Sequence, residues 1–246
     1  MAMQFMMTTM PGWLAEGKVM ISVIIPTCNE ENLLPGCLES IIKEQENVQL
    51  IVADGASSDH TLTVARQYTK EIVAMDKTDL AAQLNAGAAK ANGEILLFLH
   101  ADSRLTTGCL NRLKTLPPQV IGGAFTMQLE SNNFFYRALS LGGNIYCRLT
   151  GTYFGDRGIF VRTSVFRRLG GYANIPIMSD VEFSIRLKRL GKTVLLQGPV
   201  ISSSRKFDQE GSLHTLYLII YALLAFKLGV DPEIIKSKYY HFDAEQ

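Results

Sequence analysis

The stretch EILLFLHAD, residues 94–102, decides the fold. Residues 95–99 are all aliphatic or aromatic, and His100, Ala101 and Asp102 follow at once. Such a run indicates a buried strand that presents a carboxylate at its carboxyl end. Because both faces of the strand are apolar, both must be covered, which is typical of a parallel sheet packed between helices.

Three similar apolar runs precede this one, at residues 21–26, 49–54 and 71–75. The segments between them carry apolar residues at helical spacing. These residues are Leu34, Cys37, Leu38, Ile41 and Ile42, then Leu62, Ala65 and Tyr68, then Ala81, Leu84, Ala88 and Ala91. Strands that alternate with helices in this way predict an α/β fold with a mostly parallel central sheet flanked by helices.

The chain after Asp102 is less regular but still mixes helices and strands. We expect a helix over 108–116, a strand over 122–129, an amphipathic helix over 134–149 and a strand from Thr193 onwards. No Pro/Ser-rich linker divides the chain. The sequence therefore predicts a loose leader over residues 1–20 and a single domain over 21–246. That domain comprises a first half (21–103), a second half (104–210) and a C-terminal helical segment (211–246).

Composition excludes several classes of protein. The formal net charge is only +1, from 24 basic and 23 acidic residues, so the chain lacks the field that non-specific nucleic-acid binding requires. Its four cysteines form no CxxC pair, which is typical of a reduced cytoplasmic protein without a zinc site. The longest apolar run, residues 216–226, is shorter than the roughly 20 residues of a membrane-spanning helix.

Acidic and amide side chains follow three of the predicted strands. Asn29 and Glu30 come after the first strand, Asp54 ends the second, and Asp102 follows the fourth. Each has a structural alternative as a helix-starting or turn residue. Together, however, they predict a ligand site at the carboxyl edge of the sheet, where a metal-bound nucleotide would compensate the negative charge. No GxGxxG follows the first strand, so a dinucleotide-dependent oxidoreductase is disfavoured.

Several short motifs, in this order, resemble the family 2 glycosyltransferases over about residues 20–210. They are PTCNE (26–30), DGASSDHT (54–61), NAG (85–87), LHAD (99–102), FGDRGIF (154–160), LGGY (169–172) and SDVE (179–182). Within the family, the LHAD form and the short chain resemble a small bacterial subgroup. The resemblance implies a GT-A fold in which the first half binds a nucleotide-diphospho-sugar and the second half binds the acceptor.

The resemblance also implies roles for donor-site residues. Asp54 would accept a hydrogen bond from the nucleobase, commonly uracil, and Pro26 and Glu30 would form the base and ribose pocket. Asp102 would hold a divalent cation, Mg²⁺ or Mn²⁺, at the donor diphosphate. His100 replaces the first Asp of the family's DxD signature, and we expect it to pack or hydrogen-bond rather than bind metal. The further donor-site candidates are Asn29, Asn85, Gly87 and Ala101.

The second half contains the candidate general base. Asp180 matches the family's base, with Asp156 as the alternative, and Gly155 and Asp156 lie on the acceptor side. Ser179 replaces the Glu that precedes the family's Asp, and SDVE predicts a capping box with Ser179 at N-cap and Glu182 at N3. A place in the first turn of a helix would favour the ionised form of Asp180.

The roles of two basic residues, Arg205 and Arg157, have alternatives. Arg205 follows the last predicted strand and either clamps the diphosphate or belongs to a solvated basic turn. Arg157 stands where the subgroup would have Gln, which leaves the acceptor side undefined.

The sequence thus predicts an inverting glycosyltransferase that moves a sugar from a nucleotide-diphospho-sugar, UDP-linked by analogy, to an acceptor hydroxyl, with Asp180 as base. The alternative is a catalytically silent nucleotide-sugar binding or scaffolding protein of the same fold. Two apolar segments, 134–149 and 216–226, have three alternative roles. They are buried in the core or a homodimer, they face a lipid-linked acceptor, or they lie on the inner face of the membrane.

Overall fold

A computed structural model describes residues 19–44 and 47–241 of the chain. Its centre is one eight-stranded sheet with the strand order β3-β2-β1-β4-β7-β6-β8-β5. The first four strands are parallel neighbours, and they occupy the four apolar runs of the first half. Their bounds are β1 Ile21–Thr27, β2 Val48–Gly55, β3 Ile72–Met75 and β4 Ile95–Phe98. The predicted α/β class with a mostly parallel, helix-flanked sheet is confirmed.

Three helices connect these strands: α1 Leu34–Ile42, α2 Thr61–Ala65 and α3 Leu80–Lys90. Pro35 lies in the first turn of α1, where its missing N–H has no helical partner to lose. The carboxylate of Asp79 caps α3 by accepting the N–H of Ala82 at 3.0 Å. Helix α2 is shorter than its apolar spacing predicts, because the chain turns after Ala65 and the Thr69 hydroxyl bonds the Leu50 carbonyl at 2.7 Å.

The second half extends the same sheet. Its elements are β5 Ser103–Leu105, α4 Cys109–Lys114, β6 Val120–Leu129, α5 Phe134–Thr150, β7 Ile159–Arg162, α6 Thr163–Leu169, α7 Ser179–Leu190 and β8 Lys192–Ser202. Strand β7 runs antiparallel to both β4 and β6 and so joins the two halves. The sequence analysis predicts neither β5 nor β7. Because the sheet is continuous, the two halves share it.

The C-terminal segment is helical, as expected, with α8 Arg205–Glu210, α9 Ser212–Lys227 and α10 Pro232–His241. Within residues 19–44 and 47–241, no helix combines the length and apolarity needed to cross a bilayer. The predicted loose leader lies outside the described residues, apart from positions 19 and 20.

The core forms two apolar layers, one on each face of the sheet. Ile21, Val23 and Ile25 of β1 face the layer that contains α1, whereas Ile24 faces the layer that contains α3. Alternate residues of β1 are thus buried on opposite faces, as a covered parallel strand requires. This packing fixes the carboxyl ends of β1, β2 and β4 along one edge, where the polar loops emerge.

Candidate active site

The loops that follow β1 and β2 are held together by side chain to backbone hydrogen bonds. The Asn29 carboxamide oxygen accepts the N–H of Ser58 at 2.8 Å, and the Ser57 hydroxyl accepts the N–H of Asn29 at 2.9 Å. The Thr61 hydroxyl accepts the N–H of Glu30 at 2.8 Å. Asn29 therefore shapes the loop, and the Glu30 carboxylate is left to face the edge of the sheet.

Asp54 lies at the end of β2 and is only 1% exposed. One of its carboxylate oxygens accepts hydrogen bonds from the hydroxyls of Thr27 and Ser57, at 2.9 and 2.6 Å. The other accepts the N–H of Ser57 at 2.9 Å. These bonds explain how a buried carboxylate is tolerated. The carboxylate of Asp54 thus holds the loop after β2 in place. It lines neither of the two cavities at this edge of the sheet.

A small pocket of about 180 Å³ lies at the ends of β1 and β4. Four of the predicted donor-site residues line it: Pro26, Glu30, Ala101 and Asp102. Gln83 of α3 also lines it, and its amide donates to the carbonyls of Thr27 and Ala53, both at 2.8 Å. Sequence analysis does not identify Gln83, although its polar side chain lies among the apolar residues of α3.

A larger cavity of about 1130 Å³ adjoins this pocket. His100 and Asp102 line both spaces, so they form the boundary between them. The Asp102 carbonyl accepts the N–H of Ser203 at 3.2 Å, which ties the end of β4 to the loop after β8. Asp102 and Asp180 therefore face one continuous cleft.

The donor set around Asp102 fits a divalent cation only in part. Among residues 19–44 and 47–241, no three His, Cys, Asp or Glu side chains are grouped closely enough to hold a metal ion by themselves. Mg²⁺ commonly takes one or two carboxylates and completes its shell with substrate phosphates and water. A single carboxylate at the junction of two cavities fits that mode of binding.

Asp180 lies in the first turn of α7 and is held by two backbone donors. Its Oδ2 accepts the N–H of Gly155 at 2.7 Å, and its Oδ1 accepts the N–H of Val181 at 2.8 Å. Glu182, two residues on, instead pairs with Arg186 at 2.6 Å. Only one of the two acids is thus directed into the cleft, as expected for residues two apart on a helix.

Burial raises the pKa of the Asp180 carboxyl above its ordinary value, and the N–H groups of Gly155 and Val181 oppose the rise. The nearby Asp156 charge raises the pKa further, whereas the His100 imidazole lowers it. Contrary to the expectation from the helix position, desolvation outweighs the two backbone hydrogen bonds that favour the ionised form. A raised pKa makes this carboxylate a stronger base once it is ionised.

A side chain at position 155 would require His100 to move. A Cβ there would lie 2.6 Å from Nε2 of His100 and 3.6 Å from Oδ2 of Asp180. His100 accordingly packs against the Gly155 backbone, beside Asp180. This placement agrees with a packing role for His100.

Asp156, the alternative base, lies next to a buried cation. Its Oδ1 is 4.0 Å from Nε of Arg157, whose side chain is only 3% exposed. Arg157 also donates to the Asn144 carboxamide and lies 5.9 Å above the Phe154 ring. The charge of Asp156 is therefore partly compensated, whereas within the described residues no hydrogen bond or ion pair joins Asp180 to an arginine or lysine.

Arg205, at the start of α8, pairs with Glu30 at the rim of the small pocket. The two guanidinium nitrogens lie 2.9 and 3.4 Å from the two carboxylate oxygens. The pair joins the first and second halves of the chain across the entrance to the pocket. Arg205 is thus engaged with Glu30 and does not form an isolated basic turn.

Two predicted donor-site residues face elsewhere. The Asn85 carboxamide bonds the carbonyl and the N–H of Tyr172, both at 2.9 Å, which joins α3 to the loop after α6. Gly87 faces the sheet, and a Cβ there would lie 2.4 Å from Cγ2 of Ile24. Neither residue lines the two cavities, so the structure gives both a packing role.

The predicted capping box before α7 is wrong. Ser179 is the first helical residue, and the residue at N-cap is Met178, with φ 64°. Asn29 and Ala56 also have positive φ, at 55° and 60°, so left-handed residues occur in three loops around the cleft. Such conformations are costly for non-glycine residues and concentrate at functional sites.

Comparison with known proteins agrees with this geometry. The model of the family described as Glycosyl transferase family 2 matches residues 22–167. A PGL/p-HBAD biosynthesis glycosyltransferase of Mycobacterium tuberculosis is 30% identical over 182 residues, which cover 68% of this chain and 69% of that protein. A Methanococcus voltae enzyme is 26% identical over 243 residues, covering 89% of this chain and 66% of the relative. Its name is dolichyl N-acetyl-alpha-D-glucosaminyl phosphate 3-beta-D-2,3-diacetamido-2,3-dideoxy-beta-D-glucuronosyltransferase.

Solved structures share the fold. The mannosyltransferase PcManGT of Pyrobaculum calidifontis, in complex with GDP-Man and Mn²⁺, superposes with a TM-score of 0.64 at 21% identity, over 91% of this chain and 70% of that chain. Glucosyl-3-phosphoglycerate synthase of Mycobacterium tuberculosis, in complex with Mg²⁺ and UDP, gives 0.59 at 19% identity, over 86% and 80%. The family model covers more than half of the chain. This chain therefore belongs to glycosyl transferase family 2, and it is a glycosyltransferase.

Proposed function

We propose that the protein transfers a sugar, with inversion, from a UDP-sugar to an acceptor hydroxyl, with Asp180 as the general base and a divalent cation at Asp102. The observation that carries the proposal is that Asp102 and Asp180 line one large cavity, and that Asp102 also lines the small pocket beside it. The neighbouring structures in complex with UDP or GDP-Man support a nucleotide-sugar donor.

In this proposal the donor binds in the small pocket and reaches Asp102 at its boundary with the large cavity. Pro26, Glu30 and Ala101 provide walls for the nucleoside, and Asp54 holds the loop on which that wall depends. Arg205 lies at the rim and is already within hydrogen-bond distance of Glu30. A guanidinium in this place can turn from Glu30 to a diphosphate that arrives beside it, because both partners offer paired anionic oxygens.

The cation would be held by Asp102 and by oxygens of the donor. Bound there, it would stabilise the negative charge that develops on the leaving diphosphate. The Mn²⁺ and Mg²⁺ complexes of the structural neighbours support this assignment. The chain supplies the carboxylate, and the tie between the Asp102 carbonyl and Ser203 holds that carboxylate at the cavity junction.

Asp180 removes the proton from the acceptor hydroxyl as the hydroxyl oxygen attacks the anomeric carbon. The new glycosidic bond forms while the bond between the anomeric carbon and the phosphate oxygen breaks, and the nucleoside diphosphate leaves. The N–H of Gly155 orients Oδ2 of the carboxylate. Attack from the face opposite the leaving group gives inversion.

The acceptor enters through the large cavity, and we propose that it carries an apolar, lipid-like portion. Apolar side chains of α5 and α9 line the wall distant from Asp102, among them Phe135, Leu139, Leu216 and Ile219. The name of the Methanococcus voltae relative includes a dolichyl-linked substrate, which supports this class of acceptor. The cavity is also large enough for both a sugar and part of a chain.

The test is turnover of nucleotide sugars by the purified chain. The protein is incubated with UDP- and GDP-sugars, with Mn²⁺, with Mg²⁺ or with chelator, and release of the nucleoside diphosphate is measured. Metal-dependent release from at least one UDP-sugar is expected. Tight binding of a nucleotide sugar without any release, in the presence of a lipid extract as acceptor, would instead establish the silent binder of the same fold.

A further inference from the structure

We propose that the outer surface formed by α5 and α9 docks on an anionic lipid bilayer. The α5/α9 face consists of exposed apolar residues on both helices: Phe134, Leu141, Ile145 and Leu149 on α5, and Leu213, Tyr217, Ile220 and Leu224 on α9. Phe134 and Leu149, at the two ends of α5, are 82% and 81% exposed. This inference concerns where the protein binds and holds whether or not the proposed reaction is correct.

The two helices are neighbours, linked by side-chain contacts near both ends. The Tyr136 hydroxyl of α5 lies 2.9 Å from the Ser212 hydroxyl of α9. Near the other end, the Lys227 ammonium donates to the Tyr146 hydroxyl at 2.7 Å and lies 5.0 Å from its ring centroid. Between these links, residues of both helices line the large cavity.

Helical periodicity places the exposed stripe of each helix beside residues that line that cavity. On α5, Ala138 and Gly142 line the cavity and are followed around the helix by Leu141 and Ile145. On α9, Leu216 lines the cavity, and Ile220, one turn later, is exposed. Residues three or four apart are neighbours on a helix surface, so each stripe adjoins the cavity-lining residues of its own helix. A lipid-anchored molecule could pass from a bilayer into the cavity without crossing water.

The charged residues of α5 and α9 favour an anionic bilayer as the partner of the α5/α9 face. Neither α5 nor α9 contains Asp or Glu, whereas α5 carries Arg137 and Arg148 and α9 ends at Lys227. Both arginines and the lysine are exposed. An apolar stripe bordered by cations and free of acids is the pattern of a helix that lies in the bilayer interface and contacts anionic head groups. A second copy of the chain would instead offer these cations no acidic partner from α5 or α9.

Vesicle co-sedimentation tests the inference. The full chain is mixed with vesicles of phosphatidylcholine alone, or with about one-third phosphatidylglycerol, and the pelleted fraction is measured. Binding to the anionic vesicles and weak binding to the neutral ones is expected. The double substitution Leu141→Glu and Leu224→Glu should weaken partitioning about tenfold or more, because it removes two apolar anchors and adds two like charges to the lipid. Each single variant is tested as well, with thermal unfolding as the check on folding.

Ile42→Glu is the matched control, because Ile42 is 50% exposed but lies on α1, away from the α5/α9 face. It should leave vesicle binding unchanged, and Arg137→Gln with Arg148→Gln should reduce the preference for anionic vesicles. The inference is overturned if the wild-type chain stays in the supernatant, or if Ile42→Glu weakens binding as much as the double variant. It is also overturned if light scattering shows a stable dimer that Leu141→Glu and Leu224→Glu dissociate, since a second copy would then cover the face.

Discussion

Among single residues, Asp180 is the one on which the proposed chemistry depends. Asn at this position has nearly the same shape and can still accept the N–H of Gly155, but it cannot take up a proton. We expect Asp180→Asn to bind donor normally and to lose turnover by about 10²- to 10⁴-fold, the usual contribution of a general base. Isothermal titration with a UDP-sugar and a nucleotide-release assay measure the two effects separately.

Glu182→Gln is the control for this substitution. Glu182 lies in the same helical turn but pairs with Arg186, whose guanidinium also bonds the carbonyls of Leu169 and Gly171. Its loss should lower stability by about 1 kcal/mol or less, since the pair is partly exposed, and leave turnover nearly unchanged. Normal turnover in Asp180→Asn would remove Asp180 from the mechanism and direct attention to Asp156.

The pH dependence of turnover follows from the environment of Asp180. Burial raises the pKa of this carboxyl in the folded protein. Because the base acts only when ionised, kcat/KM should fall as the pH is lowered through that raised pKa, so the acidic limb lies at higher pH than for an ordinary aspartate. A pH profile of nucleotide release from the wild type measures the limb. A profile whose acidic limb lies at or below the pKa of a solvent-exposed aspartate would contradict the assignment.

Residue identities were easier to predict from the sequence than residue partners. Asp102 is a candidate because it follows an apolar strand, and Asp180 is a candidate because the SDVE motif resembles that of the family. The pairing of Glu30 with Arg205 joins residues 175 positions apart, so no local pattern contains it. Asp54 was located correctly at the end of a strand, but only the folded loop shows that Thr27 and Ser57 occupy its carboxylate oxygens.

At the scale of elements, the close packing of α3 on the sheet depends on one glycine. A Cβ at Gly87 would lie 2.4 Å from Cγ2 of Ile24, a rigid β-branched side chain in the core. Gly87→Ala gains helix propensity but must displace α3 or Ile24, and we expect a net loss of about 1–3 kcal/mol in the free energy of unfolding. Denaturant unfolding of the wild type and of Gly87→Ala measures this loss.

At Gly142 the same substitution to Ala should raise stability instead of lowering it. It lies within α5, and a Cβ there would meet no atom within 4 Å. Gly142→Ala should therefore raise the free energy of unfolding by about 0.5–1 kcal/mol through helix propensity alone. Equal effects at the two positions would show that α3 can move away from the sheet without cost.

Long or fully apolar elements were predictable, and short or context-dependent ones were not. Strands β1 to β4 are mostly apolar runs, so their sequences identify them without tertiary information. Strand β5 has three residues and β7 has four, too few to show a period, and both owe their strand conformation to neighbours in the sheet. The start of α7 was misassigned because Met178 enters it in a left-handed conformation that a Ser-first capping pattern does not indicate.

Across the molecule, the proposed donor site is assembled from both halves of the chain. Glu30 and Asp102 come from the parallel half, and Arg205 and Ser203 follow β8 on the far side of the sheet. The cleft therefore exists only when β7 has joined β4 to β6 and completed the sheet. A ligand that contacts both sides adds stability to the folded state as a whole, because it binds the folded chain and not the unfolded one.

For this reason we expect donor and cation together to raise the Tm by more than the sum of the rises that each gives alone. At about 100 times the dissociation constant, a ligand adds about 2.7 kcal/mol, which corresponds to a rise in Tm of roughly 5–10 °C for a domain of this size. We expect UDP-sugar with Mn²⁺ to give a rise in this range and either alone to give little, because Asp102 is one carboxylate that needs the donor oxygens to complete the shell of the cation. In Asp102→Asn the rise with both present should shrink to that of the nucleotide sugar alone. Equal shifts in wild type and Asp102→Asn, measured by scanning calorimetry, would place the cation elsewhere in the molecule.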